Sequence, residues 1–228
     1  MEVSLNHTIH AGSEDPASET RQSDPRRPGL QTRLTLAGVH YSAMVPAGWW
    51  LTTDRLALRR MTERDLDWLA GLYADPHVTQ YLGGLKTRDQ VADMMRTRIL
   101  EYYDAHPGLG AWMTIERATG DQVGFHLINN IQGETIIQVG YGLLKPYWGK
   151  GYATEMAEAV LRHGFVTLGL PRIAGIANLP NVASQRVLEK IGLERNGERS
   201  FTHPAYAASG PMAWFERERD AWLALRDR

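Results

Sequence analysis

Residues 136–154, IIQVGYGLLKPYWGKGYAT, restrict what this chain can fold into more than any other stretch. The first part reads as a strand, because Ile136, Ile137, Val139, Tyr141, Leu143 and Leu144 are β-branched, aromatic or aliphatic. Pro146 lacks the N–H a ladder needs and biases Lys145 away from helix, so the strand stops there. Gly149, Lys150 and Gly151 then open a helix whose apolar stripe runs through Ala153, Met156, Ala157, Val160, Leu161, Gly164 and Leu168. A strand feeding a glycine-rich turn and a helix N-terminus suits an anion. The glycines allow close backbone approach, the first-turn N–H groups lack intrahelical partners, and the helix dipole favours negative charge. Lys150 adds a positive charge at the same place. The ligand expected on residues 148–154 is a phosphate; the plain alternative is a glycine turn ahead of a core helix.

Two familiar nucleotide sites do not fit. A P-loop needs a hydroxyl residue after Gly-Lys, and here Gly151 follows. A dinucleotide fingerprint fails at its last position, Thr154, and the next strand, over 172–178, ends without the acid that would hold a ribose. The absence of cysteine excludes disulfides, thiolate zinc sites and a cysteine nucleophile. His7-x-x-His10 lacks a nearby third ligand, so no metal is expected. A formal net charge of −1 offers nothing to recruit nucleic acid or anionic lipid. No apolar run approaches the roughly 18 residues of a membrane span, and no secretory h-region follows Met1, so the expected location is cytoplasmic.

Residues 1–49 read as a disordered extension, rich in Ser, Asp, Glu, Pro and Arg up to Pro28, with a possible short strand over 34–45. A start at Met44 would keep every readable signal. From residue 50 to 228 the chain reads as one structured domain. A strand around Leu56 and Leu58 comes first. A helix capped by Thr62 runs to Asp75-Pro76, and a capping box of Thr87 with Gln90 opens another helix, to about Asp104. Strands over 111–116, 122–128 and 134–144 should form an antiparallel meander. After the glycine turn and its helix come a strand over 172–177, a helix over 181–191 closed by Gly192, strands over 193–201 and 212–215, and a last helix over 218–225.

WGKGYA at 148–153 resembles the pyrophosphate-binding motif of the GNAT N-acetyltransferase superfamily, Gln/Arg-x-x-Gly-x-Gly/Ala. Gly151 and Ala153 fill its last positions, while Trp148 replaces the Gln or Arg. Residues 51–84 look like the start of the branch that acetylates N-termini of ribosomal proteins, including alanine N-termini. NVASQRVLEKIGL at 181–193 is similar to that branch's second signature. The resemblance spans residues 51–225. It implies an α+β fold with a central, mostly antiparallel sheet, splayed between the fourth and fifth strands and flanked by helices.

The resemblance further implies acetyl-CoA as co-substrate, lying in the splay. Backbone groups of Val139, Tyr141, Leu143 and Leu144 would pair with the pantetheine as an added strand would, and Trp148, Gly149, Lys150, Gly151, Tyr152, Ala153 and Thr154 would hold the pyrophosphate. A backbone N–H there could also stabilise an oxyanion. Gly140 and Gly142 fit a bulge, close approach or packing. Asn181 would bond the pantetheine arm or cap its helix, and Ser184 would face the departing sulfur or simply pack. No tyrosine lies within 181–191.

For the base, Gln138 stands where the branch often has a carboxylate, and an amide cannot accept a proton. His126 is the substitute, if hairpin register places it beside Gln138; Glu116 and Glu134 are alternatives. A missing carboxylate favours an acceptor of low pKa, such as an α-amine near ~7.7–8.0. The reading is an N-acetyltransferase acting on a peptide N-terminus or small amine by direct attack. The alternative is a non-catalytic acyl-CoA-binding or regulatory module. The oligomeric state is open between monomer and homodimer.

Overall fold

The strands form one mixed sheet whose central members are buried on both faces. A computed structural model describes residues 48–207 and 209–226. His7, His10, the strand expected over 34–45 and nearly all of the expected extension therefore lie outside the described residues. The strands are β1 (Leu51–Thr52), β2 (Leu56–Arg60), β3 (Gly110–Glu116), β4 (Gln122–Asn130), β5 (Ile137–Leu143), β6 (Arg172–Asn178), β7 (Glu194–Arg199) and β8 (Met212–Glu218). They lie in the order β1-β2-β3-β4-β5-β6-β8-β7. Every neighbouring pair is antiparallel except β5 with β6, which are parallel. That pair is the fourth and fifth of the strands expected from the sequence, because β1 is too short to be visible there.

The helices follow the local signals. Thr62 precedes a 3-10 turn, Glu63–Asp65, and α1 (Leu66–Ala74). Asp75 caps the short α2 (Pro76–Thr79) by accepting from His77 N–H. The Thr87–Gln90 capping box opens α3 (Arg88–Met95), which continues through a π turn, Arg96–Leu100, into α4 (Glu101–Ala105). After the glycine turn comes α5 (Tyr152–Arg162), followed by a second π turn, His163–Thr167. The others are α6 (Val182–Lys190) and α7 (Arg219–Arg226).

Register assigns the side chains of the central strands to two faces. Val139, Tyr141 and Leu143 of β5 share one face with Ile128, His126 and Gly124 of β4. This face packs on α5 and its π turn: a Cβ at Gly164 would lie 2.5 Å from Ile173 Cδ1 and 2.6 Å from Ile128 Cδ1. Met156, Ala157, Val160 and Leu161 of α5 are buried there. Gln138, Gly140 and Gly142 occupy the other face, opposite Asn129, Leu127 and Phe125. Gly140 and Gly142 sit in an unbroken ladder, so neither makes a bulge. A Cβ at Gly142 would come within 2.6 Å of Phe125 Cε1, and one at Gly140 within 3.0 Å of Leu127 Cδ1. Both glycines make room for side chains of the neighbouring strand.

Candidate active site

Among the described residues the one parallel pairing is also the shortest. β5 and β6 share a single partnered pair, Gln138 with Ala174. Beyond it β5 runs on to Leu143 and β6 to Asn178 without pairing to each other. β4 covers the far edge of β5 throughout, so the opening lies on the β6 side alone. An open strand edge of this kind can receive an extended ligand as an added strand. Val139 and Leu143 have buried side chains, which leaves only their backbone for such a role. The edge closes at its end: Trp148 Nε1 donates to Leu143 O at 2.7 Å, and Leu144 N donates to Val123 O at 2.9 Å.

The turn after β5 forms a concavity of backbone donors. Gly149 and Gly151 have φ of 73° and 79°, a region side chains disfavour, which is why the sequence needs glycine at both. Gly151 is the N-cap of α5 and supplies no side-chain acceptor. The N–H groups of residues 149–154 find no acceptor among the described residues. They sit at the N-terminal end of α5, where the helix dipole is positive.

What steadies this turn was not legible in the sequence. Glu155, in the first turn of α5, accepts from Thr53 Oγ1 at 2.6 Å, Arg55 N at 3.0 Å and Arg55 Nε at 2.6 Å. Burial opposes its charge, yet the Thr53 and Arg55 hydrogen bonds hold its carboxyl below the usual range. Arg55 also donates to Lys150 O at 2.9 Å and lies over the Tyr152 ring at 4.7 Å. Lys150 Nζ lies over the Tyr147 ring at 4.8 Å. Tyr152 and Thr119 both donate to Glu116 and hold its carboxyl low, so Glu116 is engaged beside the turn.

Across the opening, Asn181 Oδ1 accepts from Ser184 N at 3.1 Å, the capping arrangement. Ser184 Oγ lies 3.0 Å from Tyr141 Oη, and Tyr141 Oη also donates to Ser184 O at 3.2 Å. The helix over 182–190 has no tyrosine of its own, and β5 supplies one to the same place. Burial pushes the Tyr141 hydroxyl up to about 12, opposed in part by Ser184.

His126 needs correction as a base. It pairs with Tyr141, three residues along β5 from Gln138, and so lies on the opposite face of the sheet from Gln138, whose own partner is Asn129. It is fully buried, its Nδ1 lies 2.8 Å from Thr114 Oγ1, and the backbone of Ala153 in α5 opposes the effect of burial in part. Burial lowers its pKa to about 3, which keeps it neutral and out of reach of an acceptor. Glu134 is bound to Arg199 Nη2 at 3.1 Å. Gln138 is buried on the second face, beside Tyr206, whose hydroxyl accepts from Gln132 N at 3.3 Å.

Comparison with known proteins gives a consistent answer. A family model described as an acetyltransferase (GNAT) domain matches residues 55–194. The chain is similar to YkkB of Bacillus subtilis (strain 168), 35% identical over 171 residues that cover 74% of this chain and 95% of YkkB. It is similar also to the N-acetyltransferase YoaA of the same organism, 31% identical over 153 residues, 64% of this chain and 84% of YoaA. An acetyltransferase structure from Agrobacterium tumefaciens str. C58 superposes with a TM-score of 0.63 at 25% identity, covering 74% of this chain and 93% of that one.

Proposed function

This chain belongs to the GNAT acetyltransferase family, and on that premise we propose that it moves an acetyl group from acetyl-CoA to a primary amine by direct attack in a ternary complex. One observation carries the proposal. The open edge of β5 leads straight into a turn whose N–H groups at 149–154 have no acceptor of their own among the described residues. An extended, amide-bearing arm with a pyrophosphate at its end matches that sequence of donors. When bound, acetyl-CoA supplies a thioester activated towards an amine.

The protein's own groups divide the remaining work. Residues 149–154 hold the pyrophosphate through backbone N–H groups, with Lys150 adding charge, and Val139 to Gly142 offer the free edge. Asn181 fixes the first turn of α6 and thereby the position of Ser184. Tyr141 and Ser184 form a coupled pair of hydroxyls. A tyrosine held near 12 keeps its proton at neutral pH, so the pair donates a hydrogen bond to the departing sulfur without being ionised by it. A thiol with pKa near ~8.5 needs no more than that to leave. Gln138 orients the amine from the second face and takes no proton. No carboxylate stands free beside Gln138 among the described residues, so the amine must arrive neutral or lose its proton to water.

Release of free thiol from acetyl-CoA, followed against a panel of amines, tests the proposal. Amine-dependent release with formation of the N-acetyl product is the expected result. Binding of acetyl-CoA with no amine-dependent release by any member of the panel would leave a binding module and overturn it.

A further inference from the structure

A second opening, a cleft of about 350 Å³, includes Thr97, Arg98, Tyr102, Asn129, Asn130 and Gln132 in its wall. Its chemistry is set by an unbalanced charge. Arg98 sits in the π turn between α3 and α4 and is partly buried. Its neighbour in sequence, Arg96, is spent on Asp93 at 2.7 Å and Glu101 at 2.8 Å. Arg98 has neither an ion-pair partner nor a hydrogen-bond acceptor among the described residues; the groups around it are the phenols of Tyr206, Tyr73 and Tyr102. Glu134 lines the same cleft, but it is already paired with Arg199. A guanidinium drawn partly out of water normally has an anion to offset the lost solvation. π turns, moreover, widen a helix locally and recur where side chains serve function.

A second polar group in the same wall lacks a partner. Asn129 is 5% exposed, and its Oδ1 makes no hydrogen bond among the described residues. It lies directly across β4–β5 from Gln138, the residue at which β5 and β6 part. Tyr206 lies close to both Arg98 and Gln138. Tyr102 donates to Asn130 Oδ1 at 2.7 Å and so fixes the remaining wall. The cleft wall thus carries both a cationic donor and an unused amide. Rotation about the last torsion of Asn129 exchanges its oxygen and nitrogen at little steric cost, so either can meet a ligand.

We infer that the acceptor is a small amine bearing an acidic group, carboxylate or phosphate, with the acid on Arg98 and the amine towards Asn129 and Gln138. The inference deepens the acetyltransferase reading and rests on it for the reaction, though not for the anion site. Arg98 can receive a carboxylate or phosphate through two parallel N–H donors. A polyamine would bring further positive charge to a cation that no described residue pairs.

Matched pairs test this: phenylalanine against phenylalaninamide for the carboxylate, and phosphoethanolamine against ethanolamine for the phosphate, with putrescine as the cationic control. Thiol release from acetyl-CoA should show a kcat/KM about 10- to 100-fold higher for the acidic member of at least one pair, the scale of a charge-assisted hydrogen bond. Arg98→Gln should erase that preference while leaving the thermal shift produced by acetyl-CoA unchanged, and Arg98→Lys should restore part of it. Equal rates for acid and amide, a preference for putrescine, or a uniform loss across all amines in Arg98→Gln would overturn the inference. A turnover-free arm separates it from the acetyl-transfer proposal: calorimetry of N-acetylphenylalanine and of its amide binding to the CoA-loaded protein. Tighter binding of the acid that disappears in Arg98→Gln supports the anion site even if no thiol is released. Equal affinities refute it even if thiol release is brisk.

Discussion

Replacing His126 with glutamine should remove about 2 kcal/mol of pH-dependent stability between pH ~7.5 and ~5. Burial holds the His126 imidazole at about 3 in the folded protein, against an unfolded value near ~6.5. Between those values the unfolded chain binds a proton that the folded chain refuses, so stability is full above ~6.5 and falls as the pH drops towards the folded value. At pH ~5 the unfolded imidazole is almost wholly protonated and at ~7.5 almost wholly neutral, which at ~1.4 kcal/mol per pH unit gives the ~2 kcal/mol. The figure does not depend on where below ~4 the folded value lies. For a domain of this size it amounts to about 4–8 °C in Tm. The groups around the ring leave the window clear: Thr114 does not titrate, and Tyr141 ionises only near 12. His163, which burial also lowers, contributes equally to both proteins and cancels in the difference. Glutamine can keep a hydrogen bond to Thr114, so the variant should fold, though less stably. The assay is thermal unfolding of both proteins at the two pH values. If the drop in Tm on acidification is the same in both, His126 is not the buried neutral imidazole described, and its exclusion from catalysis loses its basis.

Three further outcomes follow from the site. Gly151→Glu should abolish the rise in melting temperature caused by acetyl-CoA, because it puts a carboxylate into the donor turn; Gly151→Ala, the control, should cost roughly 1–2 kcal/mol of stability from the φ of 79° yet retain the shift. Tyr141→Phe and Ser184→Ala should each lower kcat by about 5- to 30-fold, the worth of one hydrogen bond to a developing charge, with acetyl-CoA affinity unchanged; weaker binding at normal turnover would make the pair a positioning element. Gln138→Glu should raise kcat/KM more for amines of high pKa than for peptide N-termini, read from paired pH–rate profiles, and an equal effect on both would show that proton removal does not limit the rate.

The fold was readable because its signals are local. Pro146, the two left-handed glycines, the Thr87–Gln90 box and the Asn181 cap each act over a few residues, and each appears where the sequence puts it. Contacts across long separations were not readable. Arg55 and Glu155 lie 100 residues apart, and no spacing links them. Tyr141 and Ser184 lie 43 apart, so nothing in the helix after β6 signals the tyrosine that β5 sends there. His126 failed for a different reason. The side-chain period of a strand is two, and the register of the β4–β5 hairpin, which pairs His126 with Tyr141, decides the face. Composition carries no trace of that register. Arg98 is a fourth kind of case, since what marks it is a missing partner, and only the packed structure can say which partners a residue lacks.

The absent base and the unpaired arginine make better sense together than apart. A site with no free carboxylate beside Gln138 among the described residues would acetylate only the neutral form of its amine, and so would gain from any group that lowers the amine's pKa. A free carboxylate on the acceptor works against this, because it favours the nearby ammonium. Pairing that carboxylate with Arg98 cancels the effect, and the guanidinium in turn disfavours an ammonium within the same cleft. Low dielectric strengthens both effects where Asn129 and Gln138 are buried. Arg98 would then both select the acceptor and, without touching the reacting nitrogen, increase its reactive fraction. On this view the glutamine at 138 is no defect: Arg98 supplies through its field part of what a carboxylate there would supply by taking the proton.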